Sequence, residues 1–392
     1  MGAAQPANFE ALEAQARTLL AVFIAAGYEA VAPDVIQPAG VFLDVVGEAL
    51  RGRTYVFTDL NGEELCLRPD LTVPTCRLYL QRHPAADREA FYSYNGTAFR
   101  FQPAGADASH PREFRQAGIE AFGGTDAAEA DARTLVLMLR ALQQAGLDRR
   151  RLHIGDVGLF DALLEAAKMP ERWRRRLRHH FWRPEALHAE LRRLSTEPAR
   201  SAAAFPRALI DALDPDDSAG AEALVAAHLE QQGIELIGVR SAAEIAEGLL
   251  AVAADAKAPP LKPETATLIE SYVRTRLPAC EVAAALRKLQ AAAGEAFTRA
   301  IDTYERRLGL LRDSGVDIEA AEFSAEFGRN VGYYTGFVFE VVSDALGTAS
   351  PVAGGGRYDG LLKAVGAPRN VPAVGGAVHT ERLLAVVRGG KR

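Results

Sequence analysis

Strand-like sequence comes in two blocks, and between them residues 159–313 hold almost none; that spacing restricts the fold more than any single motif does. In the first block, residues 9–26 carry apolar side chains at helical spacing (Leu12, Ala16, Leu19, Leu20, Phe23, Ile24) and then meet Gly27, a natural helix stop. Residues 28–33 alternate sides until Pro33. Residues 54–70 read as two strands around a turn at 59–62, and 91–101 with 114–122 read as a further antiparallel pair. A helix is predicted over 127–146 and a short strand over 153–155. Ala, Arg, Leu and Glu then dominate, with breaks at Pro206, 214–220 and 257–263 that cut the region into helical pieces. Strand patterns return from Phe323, in FVFEVV and around VAGGGRYDG, before a last helix over 379–388. The pattern predicts an α+β fold, an antiparallel sheet flanked by helices. Its first part occupies residues 1–160 and its second 316–392, with a helical domain inserted at 161–315.

The composition excludes several classes. With 48% hydrophobic and 24% charged residues the chain can bury large cores, and a net charge of −6 gives no cationic field to gather phosphate backbones. Cys66, Cys76 and Cys280 are scattered and odd in number, which supports neither a disulfide framework nor a zinc site. The histidines form no metal-binding set, and no P-loop, G-x-S-x-G elbow or dinucleotide fingerprint occurs. The amino terminus lacks the basic start and apolar run of a signal peptide, and no stretch approaches the roughly 18 apolar residues of a membrane span. A cytoplasmic chain without metal, cofactor or membrane contact is the expectation. The basic run ERWRRRLRHHFWR at 171–183 reads as the solvated face of an amphipathic helix whose arginines pair with nearby acids. A grip on nucleic acid is the competing reading.

Three stretches combine polar residues with strand-like surroundings. In LCLRPDLTVP, Asp70 and Thr72 lie two apart, which on an extended strand puts both on one face. In EFRQAGIEAFG the same period aligns Phe114, Gln116, Gly118 and Glu120, with Gly118 leaving room above the sheet. In FGRNVGYYTGFVFEVV, Arg329 precedes a strand entry where Tyr333 or Tyr334 can present a hydroxyl. An amino acid with an imidazole side chain needs acceptors for its ammonium, a guanidinium for its carboxylate, and a donor and acceptor for its ring; each has a candidate here. Ordinary roles stay open as well. Asp70 can cap a turn, Glu120 can balance Arg115 or Arg112, and the tyrosines can be core aromatics.

LCLRPDLTVPTCR, FRFQ, EFRQAGIEAFG, RNVGYYTGFVFE, AGGGRYDGLL and VGGAVHTERLL resemble, in that order, the motifs of the histidyl-tRNA synthetase catalytic core, a class II synthetase fold. The resemblance implies Asp70, Thr72 and Gln116 at the amino group of histidine, Glu120 and Tyr334 at its imidazole, Arg329 at its carboxylate, and Tyr333 lining the same pocket. It places Arg100 and Arg382 at ATP phosphates and Phe114 under adenine. There the match weakens. The family's F-R-x-E ends in Gln102, an expected arginine is His110, G-L-E-R has become His379-Thr380-Glu381-Arg382, and the aspartate of RGLDYY is Gly332. In the amino-acid half, Asp70 replaces a glutamate.

Ten residues follow Arg382, where an anticodon-reading domain would need on the order of 100. A histidine pocket with a reduced nucleotide site and no tRNA reading resembles the regulatory subunits of ATP phosphoribosyltransferase. That resemblance implies a non-catalytic homodimer within a hetero-oligomer. It would bind free histidine for feedback and activate a short-form catalytic subunit. The rival expectation is an adenylate-forming enzyme, a truncated synthetase or a ligase acting on something other than tRNA, and the third is a scaffold with a vestigial pocket.

Overall fold

The computed structural model describes residues 6–43, 48–103, 105–106, 110–181, 183–196, 206–214, 217–232, 241–327 and 332–389. Its strands are β1 (Glu29–Ala30), β2 (Ile36–Pro38), β3 (Tyr55–Thr58), β4 (Glu64–Leu67), β5 (Ala90–Phe99), β6 (Glu113–Phe122), β7 (Arg151–Asp156), β8 (Arg276–Pro278), β9 (Glu322–Ser324), β10 (Phe337–Val342), β11 (Ala353–Arg357) and β12 (Ala373–His379). Nine form one sheet in the order β1-β5-β6-β12-β11-β10-β7-β9-β8, and β2-β4-β3 form a smaller one. The large sheet is antiparallel except where β1 joins β5 and β7 joins β9. Strands from both sequence blocks alternate across it, with β12 seated between β6 and β11.

Local sequence explains the main elements. The helix Pro6–Ala25 ends where Gly27 takes a φ of +89°, a conformation glycine adopts without a Cβ clash. β3 and β4 turn at Asp59, whose carboxylate accepts from the Asn61 and Glu63 amides at 2.8 and 2.9 Å. The helix Ala127–Gln144 starts under Asp126, which caps the Glu129 amide, and buries Leu135, Met138 and Leu142. Glycines in β12 let both faces of the sheet pack closely. A Cβ at Gly376 would press on Phe339 and Met138, whereas one at Gly375 would fall on the Glu120 carboxylate.

The chain divides into two compact units, Met1–Ala166 with Ser271–Arg392, and Ala167–Glu270. The helical insertion expected at 161–315 is therefore longer than the unit that stands alone. Residues 271–315 belong with the sheet: β8 pairs with β9, and the helix Gln290–Asp313 packs on Ala127–Gln144 and Val157–Ala166. An amphipathic helix shows in its sequence that it has an apolar face but not which core receives it.

In the helical unit Ile210, Leu213, Val225, Leu229, Leu249 and Ala253 form a core. The basic run forms the helix Glu171–His180, which buries Trp173 and Leu177. Arg172 and Arg176 of the run, and Arg193 of the next helix, are held within the unit. Arg172 and Arg176 donate to Asp255, Trp173 Nε1 donates to the same carboxylate at 2.6 Å, and Arg193 pairs with Glu190 at 2.8 Å. Burial works against the Asp255 charge, but the bonds from Arg172, Trp173 and Arg176 outweigh it and hold the carboxyl below its ordinary value. A depressed carboxyl adds stability above the unfolded-state value and loses it as pH falls through the folded one. Asp255→Ala should destabilise this unit by about 2 kcal/mol at pH 7 and by much less near pH 3, as read by helical circular dichroism in denaturant.

Candidate functional site

The centre of the site is a carboxylate with no solvent access. Glu120 on β6 is 0% exposed. Tyr94, opposite Gly118 on β5, donates its hydroxyl to Oε1 at 3.0 Å, Tyr358 just past β11 donates to Oε2, and the Thr72 hydroxyl lies close enough to favour the charged form. These donors are neutral. Burial therefore dominates, and with Asp70 nearby the Glu120 carboxyl is pushed up to about 7 despite the three hydroxyls that favour its charge.

Asp70 is 5% exposed, and its own carboxyl is raised by burial against the opposing pull of Arg100 and two backbone amides. It does not share a strand face with Thr72. β4 ends at Leu67 and Thr72 opens the helix Thr72–Arg82, so Asp70 sits in the intervening turn and accepts from the Val73 amide at 3.2 Å. The two residues still converge, because the turn and the helix start both face β5. Arg68 Nε donates to the Thr97 carbonyl at 2.7 Å and Arg100 Nε to the Pro69 carbonyl at 2.8 Å, which staples the turn in place.

Gln116, on the Glu120 face of β6, is buried, and its Oε1 has no partner among the described residues. A buried acceptor without a partner is one that an ammonium donor would complete. The room expected above Gly118 is filled by Tyr94, since a Cβ there would lie 2.6 Å from the tyrosine hydroxyl. Tyr333 stacks edge-on against Tyr358 at 5.8 Å and packs against Tyr334 at 4.9 Å, which brings the third stretch to the same place. Arg329 lies outside the described residues.

The residues assigned to nucleotide binding have contacts within the protein. The Arg100 guanidinium lies 4.9 Å over the Phe114 ring, and Arg382 Nη1 donates to the Pro351 carbonyl at 3.0 Å. His379 stacks on Phe114 at 5.2 Å with 29° between the rings. Gln102 is tied to Arg53 and to the Pro111 carbonyl.

A family model described as histidyl-tRNA synthetase matches residues 2–231 and 246–383. A Mesorhizobium japonicum protein named ATP phosphoribosyltransferase regulatory subunit is 35% identical over 373 residues, 95% of this chain and 96% of that protein. One of the same name from Agrobacterium fabrum is 36% identical over 378 residues, 94% of this chain and 95% of its own length. The chain belongs to the histidyl-tRNA synthetase-like family of ATP phosphoribosyltransferase regulatory subunits. Solved structures show the same fold. An ATP phosphoribosyltransferase regulatory subunit/histidyl-tRNA synthetase from Bacillus halodurans superimposes with a TM-score of 0.69 at 21% identity, over 99% of this chain and 82% of that one. A histidine–tRNA ligase subunit from Alicyclobacillus acidocaldarius gives 0.61 at 22% identity, over 100% and 97%. The class II synthetase-like architecture inferred from the motifs is the fold of this family member.

Two members of the site escaped the sequence reading, Tyr94 and Tyr358. Tyr358 follows the glycines of GGGRYDG, where attention falls on the backbone, and Tyr94 becomes relevant only through its register with Gly118. The family member depends on Gly375 as well. Gly375→Ala would place a Cβ on Glu120 Oε2, so the carboxylate must leave Tyr358 or the strands must part. Thermal unfolding of this variant should show a lowered Tm, because the clash lies in the packed sheet.

Proposed function

We propose that the chain is the histidine-sensing regulatory subunit of an ATP phosphoribosyltransferase, without a reaction of its own, and that it activates a separate short-form catalytic subunit. The observation that carries the proposal is the convergence of three chain segments around Glu120: Asp70 and Thr72 from the first, Glu120 itself from the second, and Tyr333 from the third, packed against the Tyr358 that bonds Glu120. In this reading Asp70, Thr72 and Gln116 receive the ammonium of histidine, Glu120 accepts an imidazole N–H, Tyr334 serves the other ring nitrogen, and Arg329 meets the carboxylate. Feedback then requires that histidine bind the inhibited complex more tightly than the active one, and a coupling of about 1–3 kcal/mol suffices.

The names of the relatives support the transferase assignment. The test is to mix the purified chain with a short-form catalytic subunit and measure phosphoribosyl transfer with and without histidine. Activation by the chain and its reversal by histidine are expected. A catalytic subunit equally active and equally histidine-sensitive alone would refute the proposal, as would rapid exchange of labelled pyrophosphate into ATP by this chain with histidine.

A further inference from the structure

We propose that His379 is a built-in occupant of the space over Phe114, so that the pocket admits an amino acid and shuts out a purine nucleotide. The inference rests on the histidine-pocket reading for the identity of the neighbouring ligand but not for the blockade itself.

Phe114 lies on the Glu120 face of β6, at the end of the strand remote from Phe122, and it is only 5% exposed. Two flat groups cover it, the imidazole of His379 and the guanidinium of Arg100. A planar heteroaromatic base would compete for the surface His379 already holds, and stacking on one aromatic ring changes affinity by about tenfold to a hundredfold.

The backbone that carries the occupant is anchored on both sides. His379 ends β12 directly opposite Gln116, and its backbone amide donates to the Val352 carbonyl at 2.8 Å. Two residues on, the Glu381 carboxylate accepts from the Arg115 amide at 2.9 and 3.1 Å, and Arg382 is tied to Pro351 at 3.0 Å. Strand register on one side and the Glu381 clamp on the other therefore fix the backbone from which the imidazole reaches Phe114. On the far side of Gln116 the Glu120 cluster is untouched by this arrangement, so ligand contacts there do not require His379 to move. A subunit that serves a nucleotide-consuming transferase thereby avoids trapping the nucleotide beside its effector pocket.

The experiment titrates magnesium ATP, and separately adenosine, into the intact chain and into His379→Gly, His379→Ala and His379→Phe by calorimetry, with histidine titrated in parallel. The unsubstituted chain and His379→Phe, which keeps a ring over Phe114, should bind adenosine at least about tenfold more weakly than His379→Gly and His379→Ala. Histidine affinity should stay within threefold throughout. Circular dichroism identifies any misfolded variant, and either small substitution suffices for the comparison. Equal adenosine affinity in the intact chain and the small variants would overturn the inference, as would no binding by any of them. A chain that never binds histidine, yet gains adenosine binding on His379→Gly, would refute the histidine reading and leave the blockade standing.

Discussion

Asp131→Ala is expected to destabilise the sheet unit by about 3–5 kcal/mol, the largest stability effect of any single substitution considered for this chain. Asp131, on the helix Ala127–Gln144, is 0% exposed and bridges two buried arginines. Arg307 Nε donates to one of its oxygens at 2.9 Å, and Arg357 Nε donates to the other at 2.9 Å with Nη2 at 2.7 Å. Arg307 also reaches Asp156 at the end of β7 at 2.7 Å, and Arg357 reaches Asp359 at 2.9 Å. Removing Asp131 leaves two guanidiniums sharing the remaining acids away from water, which is far worse than never having buried the charges. A replacement that removes both signs separates the two causes. Asp131→Leu with Arg357→Met should recover part of the loss if unpaired charge is the problem and none of it if the helix simply unpacks. Denaturant unfolding followed at the aromatic signals of the sheet unit reads the difference. A loss below 1 kcal/mol for Asp131→Ala would mean that water reaches the network.

The network also holds the pocket. Arg357 is followed by Tyr358, and its carbonyl accepts from the Thr335 amide at 2.8 Å, so it fixes both the residue on Glu120 and the segment behind Tyr333 and Tyr334. Asp131→Ala should accordingly weaken histidine binding from a position that does not touch the ligand.

Much of this was legible in the sequence, and the failures have physical causes. The helix before Gly27, the hairpin around Asp59 and the β5–β6 pair rest on local signals: an apolar stripe, turn chemistry and period-two alternation. Period two also puts Gln116 and Glu120 on one face, and both do lie on the single strand β6. It failed at Asp70 and Thr72, where Pro74 in the first turn of Thr72–Arg82 is the signal for a helix start that the apolar neighbours concealed. The order of strands had no local signal, because pairing of β12 with β6 and of β8 with β9 depends on residues far apart in the chain. For the same reason Tyr94 and Tyr358 stayed hidden, since each matters only through a strand it meets in the fold.

Glu120→Gln separates binding from stability, and the two should move in opposite directions. A carboxyl raised to about 7 from an unfolded value near 4.3 holds more protons folded than unfolded between those limits, so its contribution to stability falls as pH climbs through that window. Above pH 7 the folded chain carries a buried charge opposed by burial and answered only by neutral hydroxyls. Glutamine keeps an acceptor for Tyr94 or Tyr358 and removes that charge, so the variant should unfold at higher denaturant than the unsubstituted chain at pH 8 and show no advantage at pH 5. Histidine binding should weaken by about 1.5–3 kcal/mol, because an imidazole N–H loses its charged acceptor. The pH dependence follows the same group. In the unsubstituted chain, affinity should rise from pH 6 to pH 8 as Glu120 gives up its proton, and in Glu120→Gln that rise should shrink to what free histidine itself contributes. Matching pH slopes in the two proteins would remove Glu120 from the imidazole. Equal stability at pH 8 would mean that the carboxylate is relieved by a cation or by water in the folded chain.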